Sequence, residues 1–359
     1  MILYRYIAKE FLKPLIVTSI AFGTLVLISE FFRELNYYME VKAGLIPVLS
    51  YLLCNLPWWT IQVLPVSVLL AVLFCVGQLV KNNELTALKA AGINLWRVVV
   101  LFLLMGALIG VCEFYLREGF IPFSVGMAEK IKTEKIRNEK PSSVSERTNL
   151  LVSFDDGKAR MTVGKVSLIN KTMSKLVIDV FDNNMELNKQ FVAGGASWNG
   201  NGWVLENGIE RVFSGNAWSE KYFLTLPFAL PFSPSDFDVL RVRPEQLSVS
   251  AYNTYLKRLE LIGSDNTKEK IQYHQRFAAV FSHIIVILIG LPFALSFGKT
   301  HGKIISFTIA LIFAFVYWAA QAAGQSLGEN DIISPMLAAW IGNIVFGIFG
   351  LILVARVKK

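Results

Sequence analysis

KNNELTALKAAGINLWR, residues 81–97, lies between two long apolar segments but is itself too polar to span a bilayer. Read as a helix, it sets Leu85, Leu88 and Gly92 on one face, continued by Leu95 and Trp96, with Glu84 and Lys89 off that stripe. Ala87, Ala90, Ala91 and Gly92 carry almost no side chain, so another surface can approach closely. The stretch is a short amphipathic helix tied at both ends to the membrane, a shape suited to receiving a push from a cytoplasmic partner. An ordinary helical loop lying on lipid headgroups has the same composition.

The apolar segments on either side extend through the chain. Of 359 residues, 54% are hydrophobic and 17% charged, and the mean hydropathy is +0.49, which excludes a soluble protein of this length. Spans are expected at about 15–32, 58–80, 98–116, 276–297, 303–325 and 333–355, after an amphipathic, basic segment 1–13. Pro47, Pro57 and Pro65 punctuate the run 45–80. They predict an interfacial or re-entrant helix over 45–56 and a second span kinked near Pro65. In span three, Glu113 and Arg117 stand one turn apart and are placed to pair. No cleavage site follows the first apolar run, so it is read as a retained span.

Composition shifts after Pro122. MAEKIKTEKIRNEK (127–140) reads as a charged helical extension, and from about 145 to 240 the pattern changes to period two, as in half-buried strands. Turn signals recur at Asp155-Asp156-Gly157, Asp182-Asn183-Asn184, Asn199-Gly200-Asn201-Gly202 and Ser214-Gly215-Asn216. Trp198 and Trp203 flank the third and predict a hairpin with one aromatic face. The expected fold is a helical membrane protein of six transmembrane helices, with a β-sandwich or jelly-roll-like domain inserted between spans three and four. Its parts are an N-terminal membrane half (1–140), the β-domain (141–245), and a connector helix followed by three spans (246–359).

The net charge of +8 does not point to nucleic acid, because the basic residues cluster at the ends of apolar runs. Arg5, Lys9, Lys13, Lys81, Lys89, Arg97, Lys299, Lys303, Arg356, Lys358 and Lys359 fall on one side, against Arg33 and Lys42 in the opposite short loops. Both termini and the 81–97 helix are therefore expected in the cytoplasm, and the β-domain outside it. Cys54, Cys75 and Cys112 all lie in apolar segments, so no disulfide is expected to staple an exported domain.

Catalytic chemistry is sparse. There is no phosphate-binding GxxxxGK[ST]; Phe297-Gly298-Lys299-Thr300 imitates its tail, with Phe293 where the first glycine belongs. No chain of acidic residues runs along the span centres, and Gln62, Gln78 and Gln321 are read as interhelical hydrogen-bonding groups. His274, His283 and His301 do not have metal-ligand spacing. Asp155, Asp156, Asp236 and Asp238 read as turn residues. The expectation is a non-enzymatic chain without cofactor or metal, with ATP bound and hydrolysed by another polypeptide.

The chain resembles the YjgP/YjgQ permease family, the LptF and LptG subunits of the lipopolysaccharide exporter, nearly end to end. Asn83-Glu84-Leu85 through Ala90-Ala91-Gly92 is similar to the family's S-E-L-x-x-M-x-A-S-G segment. Leu56-Pro57 and Pro65 match prolines of its second span, and Glu118 to Pro122 its E-x-x-x-P motif. The run from Trp198 and Trp203 to Gly208 resembles its β-domain. Gly290-Leu-Pro292-Phe-Ala294, Gly328, Pro335, Ala338-Ala339-Trp340 and Asn343 resemble its last spans.

The resemblance, closer to LptG, implies an inner-membrane permease that pairs with a second permease of its family above an LptB-like ATPase dimer. It also implies that lipopolysaccharide passes through the periplasmic jelly rolls to LptC-like and bridging proteins toward the outer membrane. It assigns Glu84, Leu85, Leu88, Ala91 and Gly92 to the ATPase-coupling helix. Basic residues late in span one of LptG engage the lipid's phosphates; here Glu30 stands nearest, with Arg33 one turn away and Lys42 beyond. Phe31, Val68, Phe313 and Tyr317, with Leu27 and Val72, are candidate cavity-lining residues. Met161, Val163, Val177, Ile178 and Phe191 are candidate acyl-contacting positions of the β-domain. The competing reading is a membrane-anchored adaptor whose β-domain binds a periplasmic partner.

Overall fold

The structure is a computed structural model that describes residues 2–138, 146–155, 157–214, 217–234, 236–237, 244, 247–261, 266–296 and 302–356. The domain boundaries drawn at 140/141 and 245/246 fall outside these residues, as do Asp156, Gly215, Asn216, Asp238, Lys299, His301, Lys358 and Lys359. The chain divides into two compact units, residues 1–136 with 267–359, and residues 137–266.

The first unit is helical: α1 (Ile2–Arg33), α2 (Leu35–Glu40), α3 (Leu45–Lys81), α4 (Glu84–Ala90), α5 (Leu95–Glu118) and α6 (Phe120–Ile131), the last running into a π-helical turn at Lys132–Ile136. After the second unit come α8 (Thr267–Ser296), α9 (Gly302–Glu329) and α10 (Pro335–Ala355). Among the described residues, Leu3–Arg33, Leu45–Lys81, Leu95–Glu118, Thr267–Leu295 and Pro335–Ala355 are long and apolar enough to cross a membrane. α9 occupies the place expected for the remaining span.

Two boundaries differ from expectation for one reason. Pro14 lies inside α1, and Pro57 and Pro65 lie inside an unbroken 37-residue α3, where the sequence pointed to an interfacial helix followed by a separate span. In a bilayer a broken helix strands several backbone groups with no water to meet them, whereas a proline gives up one N–H. Helix continuity costs less.

The unit's core is built where α1, α3, α5, α8, α9 and α10 meet, and includes Phe11, Val68, Val72, Phe102, Ile287 and Tyr317. α5 and α8 approach closely at Gly106 and Gly110. A Cβ at Gly110 would stand well inside contact distance of the Val280 carbonyl oxygen, and one at Gly106 would meet Ile287. Small residues four apart give this close backbone approach between membrane helices.

The second unit contains β1 (Glu146–Phe154), β2 (Ala159–Ser167), β3 (Thr172–Phe181), β4 (Leu187–Trp198), β5 (Trp203–Ser214), β6 (Ala217–Phe228) and α7 (Val249–Leu261). The strands form one antiparallel sheet in the order β1-β2-β3-β4-β5-β6. A jelly roll is two sheets joined by crossing connections; the six described strands are a single meander. α7 groups with the sheet, although the sequence placed this connector with the C-terminal spans. The turns use the residues that signalled them. Asp182 Oδ1 accepts from the backbone N–H groups of Asn184 and Glu186, and Asn199 Oδ1 from those of Asn201 and Gly202.

A transverse crease crosses this sheet. One position on every strand is missing from the ladder, namely Asn149, Gly164, Lys175, Gly194, Asn207 and Leu224, each directly opposite its neighbours in the row. Asn149, Lys175 and Asn207 have left-handed backbone, at φ 55°, 55° and 50°. The inward face changes parity at this row: Val163 and Val166 are buried on β2, Met173 and Leu176 on β3, Ala193 and Ala196 on β4. A row of matched bulges bends each strand while keeping one face apolar. Met161, Val163, Ile178 and Phe191 share that buried face. Val177 lies on the other, because adjacent residues of a strand point to opposite sides. The buried face is closed by the chain itself where Trp203, paired with Trp198 across the hairpin, donates its indole N–H to the Phe232 carbonyl at 2.8 Å. Phe232 in turn packs on Phe154 and Phe237.

Candidate functional site

The 81–97 stretch folds as two joints around a seven-residue helix. α3 ends with Asn83 in the left-handed region (φ 59°) and its N–H bonded to the Val80 carbonyl. α4 ends in a Schellman turn: the Gly92 N–H donates to Lys89 O and the Ile93 N–H to Leu88 O, with Gly92 at φ 72°. Asn94 then caps α5, its side chain accepting from the Trp96 N–H. Gly92 is thus required by backbone geometry, and no atom lies within 4 Å of where its Cβ would be; the close approach read from its size is not what fixes it.

On α4, Leu85 is buried, Leu88 half-buried, and Thr86, Ala87, Lys89, Ala90 and Ala91 are exposed. Glu84 is half-buried, and its Oε1 accepts from Asn82 Nδ2 at 3.0 Å and from the Tyr6 hydroxyl of α1 at 3.1 Å. The helix therefore sits on the bundle by Leu85 and Glu84 and offers a small, nearly flat face of alanine, threonine and lysine. Beside it, Tyr4, Trp96, Arg97, Val100, Leu101 and Leu104 line a groove of about 430 Å³ between the start of α1 and the start of α5.

At the other end of α1, two of the charges proposed for substrate contact, Glu30 and Arg33, pair with each other. Arg33 forms an ion pair with Glu30 one turn back and stands 3.9 Å from Glu34. Glu34 also lies 3.8 Å from Lys132, whose ammonium sits over the rings of Tyr51 (5.2 Å) and Tyr37 (5.6 Å). Phe31 packs edge-on to Phe32 and lies beside Tyr38. Burial pushes the Tyr38 phenol well above its ordinary range. Arg33 and Lys42 remain exposed to solvent or headgroups. Glu30 is thus the partner of the nearby cation and does not replace it.

Three of the proposed lining residues are not accessible in this chain. Val68 and Val72 are completely buried among the spans, and Tyr317 is buried with its hydroxyl donating to Asn343 Oδ1 at 2.6 Å. Phe313 is stacked between Phe293 and Phe349. Their apolar or aromatic character serves helix packing.

The structure also assembles a polar cluster that the sequence only half disclosed. Glu113, 2% exposed, accepts from Arg117 Nε at 2.7 Å, and its second oxygen lies 3.2 Å from Nε2 of a fully buried His283 on α8. Arg117 lies over the Trp58 ring at 5.4 Å. The Glu113–Arg117 spacing was legible, but the histidine, 170 positions further on, was not. No group of three or more metal-binding side chains occurs among the described residues. On the second unit, Val177, Val192, Ile209, Tyr222 and Leu224 line an open trough of about 680 Å³ over the crease.

A sequence model of the family described as "Lipopolysaccharide export system permease LptF/LptG" matches residues 5–356, nearly the whole chain. The description covers both subunits and does not separate LptG from LptF. A search of curated proteins returned no match.

Proposed function

The chain belongs to the lipopolysaccharide export system permease family LptF/LptG, and on that premise we propose that it is one half of a two-permease channel driven from outside by an ATPase docked on α4. It is a multi-pass membrane protein of lipopolysaccharide export and a non-catalytic permease subunit. Both termini and α4 lie in the cytoplasm, ATP is bound by a separate LptB-like dimer, and a second permease of the family covers the open side of this one. Lipopolysaccharide enters sideways from the outer leaflet and leaves by way of the periplasmic sheet toward LptC-like and bridging proteins.

The observation that carries this reading is α4 itself. A polar seven-residue helix is held between two spans by two left-handed joints, with its small-residue face bare. A loop lying passively on headgroups needs neither joint. Two further features support the pairing of permeases. Val17, Ile20, Leu25, Ile28 and Phe32 form an uncovered apolar stripe on α1, and Val100, Leu104, Leu108, Val111 and Tyr115 a second one on α5. Arg33 supports a headgroup role at the outer end of α1, since a phosphate can compete with Glu30 for its guanidinium.

The test is Ala90→Trp, which sets a bulky ring on the bare face without touching Leu85. The variant is expected to insert and to lose co-purification with the ATPase. Retained association would remove α4 from the docking role. Glu84→Arg is expected to have the same effect, through loss of the seat of the helix.

A further inference from the structure

The hydrogen bond between α4 and α1 has a consequence beyond docking. α4 is joined covalently to α3 through Asn82 and Asn83 and to α5 through residues 91–94, and both of those spans are set into the core. α1 is neighbour to α4 only in space, and the Tyr6 hydroxyl reaches the Glu84 carboxylate across that gap at 3.1 Å. The same carboxylate oxygen is steadied by Asn82 Nδ2 at 3.0 Å. Behind Tyr6, the start of α1 is gripped: Ile7 and Phe11 are fully buried, Phe11 meets Phe102 of α5 edge-on at 5.9 Å, and Cys75 Sγ lies 3.9 Å from the Ile7 carbonyl. Beyond Leu15 the outward side of the helix is bare. From Tyr6 to Arg33 an unbroken helix covers about 40 Å.

We propose that Tyr6 is the positioning residue that transmits movement of α4 to α1, so that a push on the docking helix tilts α1 about its gripped base and shifts Arg33 at the far end. The inference rests on α4 being the ATPase seat. A hydrogen-bonded link to a carboxylate moves with its acceptor, whereas packing alone lets α4 slide past an exposed aromatic ring. Glu84 thereby has two tasks on one side chain, seating α4 and holding Tyr6. Asn82 keeps the carboxylate oriented for both.

The experiment compares Tyr6→Phe with the wild-type chain in the assembled transporter, reconstituted in vesicles containing lipopolysaccharide. The quantity read is lipid moved per ATP hydrolysed. Tyr6→Phe keeps the ring and removes only the hydroxyl. It is expected to co-purify with the ATPase and to lower the coupling ratio about threefold to tenfold, the range of one lost hydrogen bond. A Tyr6→Phe, Glu84→Ala double variant is expected to be no worse than Glu84→Ala alone, because without the carboxylate the Tyr6 hydroxyl has no acceptor on α4. An unchanged ratio, or losses that multiply, overturns the proposal. Where yield limits transport measurements, hydrogen exchange of α1 amides in the same complex serves. ATP-dependent change near residues 5–13 is expected in the wild-type chain and absent in Tyr6→Phe, and its persistence overturns the proposal. If Ala90→Trp leaves the ATPase bound, the docking reading has failed; if it releases the ATPase while Tyr6→Phe stays fully coupled, only this inference has.

Discussion

α8 and α1 are helices of 30 and 32 residues, yet 67% of the most apolar window of α8 is buried inside the chain and only 11% of that of α1. α8 meets α5 at two glycines, presents His283 to Glu113, offers the Ala278 carbonyl to Asn343 of α10, and contributes Val286 to Leu291 to the core. α1 lies mainly along α3 and is fixed near its start by Ile7, Phe11 and the Tyr6–Glu84 bond. In lipid, exposure of an apolar face costs almost nothing, because the acyl chains are as apolar as the side chains. What separates the two helices is packing and polar satisfaction. One is the frame of the permease and the other is an arm attached to it.

Glu113→Ala leaves Arg117 and His283 facing each other in a buried site without the carboxylate, and removing one partner of such a pair costs about 3–5 kcal/mol. The expected result is a large fall in the thermal denaturation temperature of the purified permease. A variant as stable as wild type would mean that water reaches the cluster and that α8 is less of a frame than its burial implies. Gly110→Ala is expected to cost less, about 1–3 kcal/mol, because its methyl group must displace the Val280 backbone of α8, which cannot rotate away. Equal losses on substituting Gly126, where a Cβ meets nothing within 4 Å, would sink that argument.

The sheet offers a different test of what is fixed. Asn207→Val places a β-branched residue at φ 50° in the crease and is expected to destabilise the second unit by about 1–2 kcal/mol. Asn207→Gly is expected to be neutral or mildly stabilising. The measurement is hydrogen exchange of the β4, β5 and β6 amides at increasing denaturant. If both variants behave alike, the crease is not held by left-handed residues.

How far the sequence disclosed these features follows from the range of the forces involved. Five of the spans, the strands, and the turns at Asp182 and Asn199 rest on interactions within a few residues, and they were legible. Glu113 with Arg117 was legible for the same reason. The ends of α4 were not: 81–97 reads as one helix, yet Leu95 and Trp96 already belong to α5. The continuity of α3 was not, since Pro57 and Pro65 argue for breaks and only the bilayer's lack of hydrogen-bonding alternatives outweighs them. The crease was hidden because Lys175 and Leu224 carry no turn signal. It shows only as a slip in alternation at matching points of all six strands, which requires the register to be known. His283, Tyr6 and the burial of Val68 depend on which helices meet, and periodicity does not encode that. Glu30 stands where the resemblance implies a cation, and only its ion pair with Arg33 shows it to be the partner of one.

The same substitution made on both helices separates the frame from the arm. Ile287 on α8 is fully buried and Ile20 on α1 is 64% exposed. In the membrane the transfer term for either side chain is small, since the reference state is also apolar, and only the cavity term remains. Ile287→Ala opens a void against Gly106 and the core and is expected to cost about 2 kcal/mol. Ile20→Ala opens none and is expected to change stability by less than about 0.5 kcal/mol. The readout is thermal denaturation of the single permease in detergent, repeated in the assembled transporter. In the assembly the Ile287 loss is expected to stay as it was. The Ile20 loss is expected to grow if a second permease covers the stripe of α1, and to stay near zero if lipid alone covers it. The direction of that one change therefore separates an arm that works against a protein partner from one that moves freely in the bilayer.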